Sequence, residues 1–380
     1  MNLLLLSTSY PPVLGGLQTV AHQVAQHMHS RGHAVRTLTM RYPRSLPPHD
    51  VRDGVPITRW LMLRPNLPDL RRGRLDALLA ACFYYPLTLR RLARLMQTFQ
   101  PQTVNFHFPT HLTHFVLWLR RRYTFRLVVS LHGHDVLGDS SRSAYERQRF
   151  RQLLAQADAV TACSADLLAK ATALVPSIAP RAAVHYNGVD LARFADKTPF
   201  PHPRPYVLYL GRLDSVKGVD LLIEAFAQVA QSIPDLDLRL AGDGALHQTL
   251  VLRSAALGAA ERIHFLGKVS PQCVVNLLNA AQFVVLPSRA ETFGIAAVEA
   301  MAAGKAVLAT RVGGFPEVLP VPPNRLVEPT MDALASALTD WLSNLAAVQR
   351  EGEQNRAHAQ RFDLVHTLRR YEATLLGAPL

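Results

Sequence analysis

The chain has 380 residues, of which 49% are hydrophobic and 18% charged, which excludes a disordered or low-complexity protein and leaves room for about two domains. Its net charge is +13, and the surplus is one-sided: residues 1–190 carry 23 basic and 10 acidic side chains, residues 191–380 carry 18 of each. A basic half beside a neutral one points to an anionic partner, whether nucleic acid, anionic lipid or an acidic substrate.

Residues 2–7 are an apolar run closed by a turn, the pattern of a buried parallel strand. Pro11-Pro12-Val13-Leu14-Gly15-Gly16 follows, then a helical periodicity through Val20, Val24 and Met28 that Arg31-Gly32-His33 ends. The next strand is expected over 34–40. Strand, glycine loop, helix, strand is the opening of a doubly wound α/β domain. Further strands are expected over 103–107, 126–132, 157–162 and 182–186, the last running into Asn187-Gly188-Val189-Asp190. The proline-rich segment 198–205 reads as an interdomain linker. A second series follows, with strands over 206–210, 236–241, 262–266, 283–287 and 306–310, helices over 218–231 and 293–303, and a helical tail from Thr330. The halves show no residue-level repeat, so a solenoid is excluded.

Three scattered cysteines, Cys82, Cys163 and Cys273, argue against a disulfide framework and a zinc site, and fit a reducing cytosol. The leucine run at the start lacks a basic flank and stops at Pro11, so no secretory signal is expected. No stretch is long and apolar enough to span a membrane.

Three constellations carry chemistry. In Pro287-Ser288-Arg289-Ala290-Glu291-Thr292-Phe293-Gly294-Ile295, a strand ends, a loop carries Glu291, and a helix begins after Gly294. Free N–H groups at that helix start suit an anion. Glu299 lies two turns in, on an otherwise apolar helix. Two carboxylates around such a terminus suit sugar hydroxyls beside a diphosphate. The same pair also reads as a capping Glu291 and a solvated Glu299. Second, Gly211-Arg212-Leu213-Asp214-Ser215-Val216-Lys217-Gly218 places two cations in a strand-to-helix loop, fit to neutralise a leaving diphosphate, or else simply exposed. Third, Gly15-Gly16 suits close approach of backbone N–H groups to phosphate, or a tight turn alone. The G-x-G-x-x-G spacing of dinucleotide sites is absent.

Taken in order with Leu131-His132-Gly133, Ala241-Gly242-Asp243-Gly244, Phe265-Leu266-Gly267 and Gly313-Gly314-Phe315-Pro316-Glu317, these blocks make the chain resemble the retaining GT-B glycosyltransferases of family 4, the group 1 glycosyltransferases. The resemblance covers nearly the whole chain. It implies an α/β fold of two Rossmann-like domains with parallel sheets facing a central cleft. The acceptor-side domain would span 1–195, the nucleotide-sugar domain 196–361, and a final helix over 362–380 would cross back. It implies that Arg212 and Lys217 bind the donor diphosphate and that Glu291 contacts donor-sugar hydroxyls, helped by the N–H groups around Phe293, Gly294 and Ile295. Glu299 would hold the ribose, the backbone at Val269 the base, and Gly16 would approach the donor from the first domain. His132, at a strand end, matches the family's active-site histidine, though such a residue also reads as a hydrogen-bonded structural one. His134 and Asp135 follow closely enough for one to orient the other. No cofactor and no metal are expected, and no covalent nucleophile is named. The loop 319–326 departs from the family in being shorter and proline-rich.

Asp235-Leu236-Asp237 imitates a metal–diphosphate motif of another fold, but it stands at the amino end of a strand and reads as a solvated turn. The arginines of the first half (Arg41, Arg44, Arg52, Arg59, Arg64, Arg71, Arg72, Arg74, then Arg90, Arg91 and Arg94) surround apolar segments. Residues 71–99 read as an interfacial amphipathic stretch on anionic lipid, or as an ordinary packed helix. Nucleic acid is disfavoured, since no aromatic platform interleaves with the arginines. The expectation is a metal-independent hexosyltransferase using a UDP- or GDP-sugar and a lipid-linked or membrane-associated acceptor. It would act in the cytoplasm on the inner face of the membrane. The alternatives are a sugar-nucleotide epimerase of the same fold and a non-catalytic anionic-ligand-binding protein.

Overall fold

The computed structural model describes residues 1–12, 16–64, 75–138, 142–196 and 198–378. Gly15, Arg71, Arg72 and Arg74 therefore lie outside the described residues. The chain forms two compact units, Met1–His185 with Leu368–Leu380, and Tyr186–Thr367.

The first unit is built on eight strands: β1 (Asn2–Ser7), β2 (Ala34–Met40), β3 (His49–Arg52), β4 (Val55–Trp60), β5 (Thr103–His107), β6 (Arg126–Leu131), β7 (Ala159–Ala162) and β8 (Ala182–Val184). Their order is β3-β4-β2-β1-β5-β6-β7-β8, and every pair is parallel except β3 with β4. Leu3, Leu4, Leu5 and Leu6 are all buried, because a parallel strand covered on both faces needs apolar residues at successive positions.

The β3–β4 hairpin lies in the arginine-rich stretch that follows the second strand, where no strand was expected. Asp53 and Gly54 both have positive φ (48° and 79°), the backbone of a tight hairpin turn, and the Asp-Gly pair between Val51 and Val55 is its signal. Arg59 sits on β4 and is 1% exposed. Its Nη2 donates to Pro11 O at 2.9 Å and to Asp50 Oδ2 at 3.2 Å, so this arginine is structural and not part of a basic surface.

The second unit holds β9 (Tyr206–Leu210), β10 (Asp237–Ala241), β11 (Ile263–Gly267), β12 (Val284–Leu286), β13 (Val307–Thr310) and β14 (Arg325–Val327). The order is β11-β10-β9-β12-β13-β14, all parallel. That is the doubly wound 3-2-1-4-5-6 order, with its switch point between β9 and β12. Segment 319–326 leads directly into β14 and is anchored by buried Asn324, whose Oδ1 accepts from Val307 N at 2.9 Å. Two doubly wound sheets match the expected architecture.

One detail of the expected pattern is overturned. Asp235 is exposed, as a solvated turn requires, but Asp237 is buried as the first residue of β10. Its surroundings come from residues far away in the chain, which no local motif reveals.

Candidate functional site

In doubly wound sheets, ligands bind beyond the carboxyl ends of the strands at the switch point. In the second unit that places two loops side by side: 211–218, after β9, and 287–294, after β12. They are stitched together by Arg289 N donating to Val216 O (2.8 Å) and by the Arg289 guanidinium on Asp220 (2.7 and 2.6 Å). Gly218 is left-handed (φ 62°), and a Cβ there would lie 2.1 Å from Pro287 O. The loops can approach this closely only because position 218 has no side chain.

Their charged groups meet. Lys217 Nζ donates to Glu291 Oε2 at 2.6 Å, and both side chains are largely buried. Glu291 Oε1 accepts from its neighbour's backbone, Thr292 N, at 3.0 Å. Gly313, at φ 52°, backs onto the Glu291 carbonyl, where a Cβ would sit 1.7 Å from the oxygen. Arg212 is different. Its side chain is 73% exposed and pairs with Asp214 at 2.9 Å, so it borders the site as an exposed outer cation.

The helix Ile295–Ala302 starts from left-handed Gly294, with its first N–H groups next to Glu291. Phe293 is 1% exposed and packs on Tyr186 and Phe362, so only its backbone is available to a ligand. Tyr186 in turn donates to Glu317 Oε1 at 2.7 Å, which holds the Gly313–Glu317 block in place. Glu299 lies further along the same helix. Burial raises its carboxyl from 4.5 to about 7, and Arg193 pulls weakly the other way. Val269 follows β11 at the same carboxyl edge, just before the helix Pro271–Ala280.

The first unit has its own site at the same edge. Gly16 opens the helix Gly16–Ser30 after β1. His132 follows β6 and is 1% exposed. Its Nε2 is 2.8 Å from His107 Nδ1, and His107 Nε2 is 2.7 Å from Asn105 Oδ1. The two imidazoles are stacked, and Phe108 stacks on His132 from another side. Burial lowers His132 to about 4, and lowers His107 still more clearly, with His132 adding to it. Both rings are neutral near pH 7. The Asp135 carboxylate accepts from the backbone N–H groups of His132, Gly133 and Val136, fixing the turn after β6.

His107, Asn105 and Phe108 were not singled out from sequence. The available signal was that the successive strands expected over 103–107 and 126–132 both end in histidine. Beside them is a cavity of about 420 Å³, walled by segments after β1, β5 and β6. Arg64, Arg142, Arg149, His111, His114 and His134 line it, against one carboxylate, Glu146, which pairs with Arg64 at 3.0 Å.

Among the described residues, the one grouping of side chains suited to a metal is His202, Asp237 and His264, at the opposite, amino edge of the second sheet. The carboxyl-edge site is thus a carboxylate–cation pair, a helix start and a raised carboxyl. These can bind an anion beside a polyhydroxylated group.

Two family models cover the chain almost end to end: Glycosyltransferase Family 4 matches residues 14–193, and Glycosyl transferases group 1 matches residues 192–358. Similar proteins include a glycogen synthase of Mycobacterium tuberculosis, 27% identical over 94% of this chain and 89% of that protein. Another is a GDP-mannose-dependent monoacylated alpha-(1-6)-phosphatidylinositol monomannoside mannosyltransferase of Corynebacterium glutamicum, 30% identical over 62% of this chain and 65% of that protein. The structure of Anabaena HepE in complex with UDP superposes with a TM-score of 0.77 at 22% identity, covering 99% of this chain and all of that one. The chain belongs to the group 1 glycosyltransferases, with the GT-B fold, and is a glycosyltransferase enzyme.

Proposed function

We propose that this enzyme is a retaining hexosyltransferase that moves a sugar from a UDP- or GDP-sugar to an anionic, lipid-linked or membrane-associated acceptor. The observation that carries the donor half is the Lys217–Glu291 pair at the switch point of the second sheet. A diphosphate takes over the Lys217 ammonium, with Arg212 closing from outside, and this releases Glu291 to accept from sugar hydroxyls. The backbone N–H groups around Phe293, Gly294 and Ile295 face the donor. Glu299 accepts from the ribose and the backbone at Val269 holds the base. Gly16 and His132, in the first unit, carry the roles the resemblance gives them. Lys217 and Arg212 meet the leaving-group charge, so on this reading transfer needs no metal at the diphosphate. The relative named for GDP-mannose and the fold neighbour solved with UDP support a nucleotide-sugar donor of either base.

The acceptor half rests on the basic cavity and on the helix Leu75–Phe99. That helix buries Ala81, Thr88, Leu92, Met96 and Phe99, while Leu79 (70%) and Phe83 (68%) are exposed on its other side. Exposed apolar residues one helical turn apart, followed by Arg90 and Arg94, support a peripheral seat on anionic lipid at the cytoplasmic face. No helix among the described residues is long and apolar enough to cross a membrane. The deciding experiment is a thermal-shift panel of UDP, GDP, ADP and their sugars, followed by transfer assays with Glu291→Ala and Lys217→Ala. Stabilisation by one nucleotide family and loss of transfer in both variants is expected. Unchanged turnover in both would overturn the assignment.

A further inference from the structure

We propose that His202, Asp237 and His264 form a binding site for one divalent transition-metal ion of the zinc class, at the amino edge of the second unit's sheet. It is separate from the donor site and does not depend on the reading given for that site.

Three chain segments converge there. Asp237 opens β10, and His264 is the second residue of the adjacent strand β11. His202 comes from the segment just before β9, β10's other neighbour. His264 Nε2 is 3.0 Å from Asp237 Oδ2, His202 Nε2 is 3.5 Å from the same oxygen, and all three ligand atoms lie within 4.8 Å of one another. A tetrahedral zinc with bonds of about 2.1 Å keeps its donors about 3.4 Å apart. The side chains are therefore already near the spacing such an ion imposes.

Electron pairs at this point call for a cation. His202 Nδ1 lies 2.5 Å from the Arg204 carbonyl oxygen and 3.1 Å from the Arg204 N–H. Nδ1 is thus held by the Arg204 backbone, and Nε2 is the nitrogen left facing Asp237. Metal-bound histidines are commonly held in this manner, with the far nitrogen tied to a second group. A second observation concerns the other carboxylate oxygen. Asp237 is 4% exposed at its side chain, and its Oδ1 is buried without a hydrogen bond. A buried carboxylate oxygen left this way is costly. The Arg204 Nη1, at 3.8 Å, is beyond hydrogen-bond reach, and that side chain is half exposed. Arg239, two residues along β10, is engaged over the rings of Phe200 and Tyr206.

Two imidazole nitrogens and one carboxylate oxygen favour zinc, cobalt, nickel or copper over magnesium or calcium. His264 is 37% exposed, so a metal can enter past it and a water can complete the coordination. Once bound, the ion ties residues 200–205 to both strands. Because β11 runs from His264 directly to Gly267, it also steadies the strand that leads to Val269.

The test uses the full chain, freed of metal with a chelator and then titrated with Co²⁺, with Zn²⁺ as competitor. One equivalent of Co²⁺ should give visible d–d bands that Zn²⁺ abolishes, and Zn²⁺ should raise Tm. His264→Gln and His202→Gln should each weaken binding at least tenfold and remove the Tm response, while His366→Gln, elsewhere on the surface, should change neither. His264→Gln alters a partly exposed side chain, so its fold is checked by an unchanged circular dichroism spectrum. Absence of stoichiometric Co²⁺ bands, or equal affinity in the wild type and both variants, overturns the proposal.

Discussion

Lys217 and Glu291 satisfy one another across 2.6 Å although 74 residues separate them in the chain. A charge-assisted bond between two loops means that neither group is spare before a ligand arrives. Lys217→Ala and Glu291→Ala are each expected to lower kcat/KM by about 10²–10³-fold, the usual cost of losing one preorganised charge partner. The double variant should lose much less than the product of the two, because residues in direct contact couple by about 0.5–3 kcal/mol. Steady-state kinetics on the four proteins checks this. Strictly multiplicative losses would mean that the pair does not act as a unit.

Glu299 supplies a pH dependence with a definite sign. Its carboxyl is raised to about 7 by burial, and in the proposed role it must be ionised to accept from ribose hydroxyls. Binding of an intact nucleotide sugar, whose diphosphate has no proton to exchange in this range, should weaken as pH falls through 7, approaching tenfold per unit. Glu299→Gln should bind more weakly and lose the dependence. Calorimetry at pH 5.5, 6.5 and 7.5 reads it directly. In the folding equilibrium the same group favours the native state at low pH, and that contribution declines as pH rises from about 4.5 to 7.

The buried histidines of the first unit act in the opposite direction. His132 and His185 are both lowered to about 4 by burial. Between pH 6.5 and 4 the unfolded chain takes up protons that the native chain refuses. Each should therefore cost about 1.4 kcal/mol of stability per pH unit as pH falls through that window. Denaturant titrations from pH 7 to 4.5, with His132→Asn as comparison, should show a shallower slope in the variant. Parallel slopes would contradict the burial of a neutral ring.

Gly313 and Gly258 make a matched pair. Both are left-handed, at 52° and 68°, but a Cβ at 313 would meet the Glu291 carbonyl at 1.7 Å while one at 258 meets nothing within 4 Å. Gly258→Ala should cost about 1 kcal/mol, the backbone penalty alone. Gly313→Ala should cost clearly more and also impair transfer, because it pushes on the backbone that carries Glu291. Tm and kinetics together separate the two effects.

On the first unit, Leu79→Glu with Phe83→Glu changes only exposed positions of the helix Leu75–Phe99. Co-sedimentation with vesicles containing anionic phospholipid should fall at least fivefold, while transfer to a water-soluble acceptor analogue stays near wild type. Undiminished sedimentation would move the membrane contact elsewhere.

The strands were legible because parallel strands covered on both faces are continuous apolar runs, as at Leu3–Leu6 and at Tyr206–Leu210. The loops around Lys217 and Glu291 were legible too, since glycine punctuates them where two backbones touch. What escaped was whatever depends on partners remote in the chain. The Asp53-Gly54 hairpin escaped because arginines outnumber the turn signal around it. His107 is the last residue of an otherwise unremarked strand, and only the pairing of β5 with β6 gives it a role. Asp237 looked solvated because the two histidines facing it stand 35 residues before it and 27 residues after it.

The helix Leu364–Leu376 has a consequence for the order in which the molecule can be built. Its residues from Leu368 onward belong to the first unit, where Tyr371 and Leu375 are buried, His27 holds Glu372 at 2.9 Å, and Thr103 donates to the Leu375 carbonyl at 3.1 Å. These residues leave the ribosome only after the entire second unit has been translated. During synthesis the first unit therefore has to wait, with part of its core uncovered, while the second can close around its own sheet. The half that begins the chain is the half that finishes folding last.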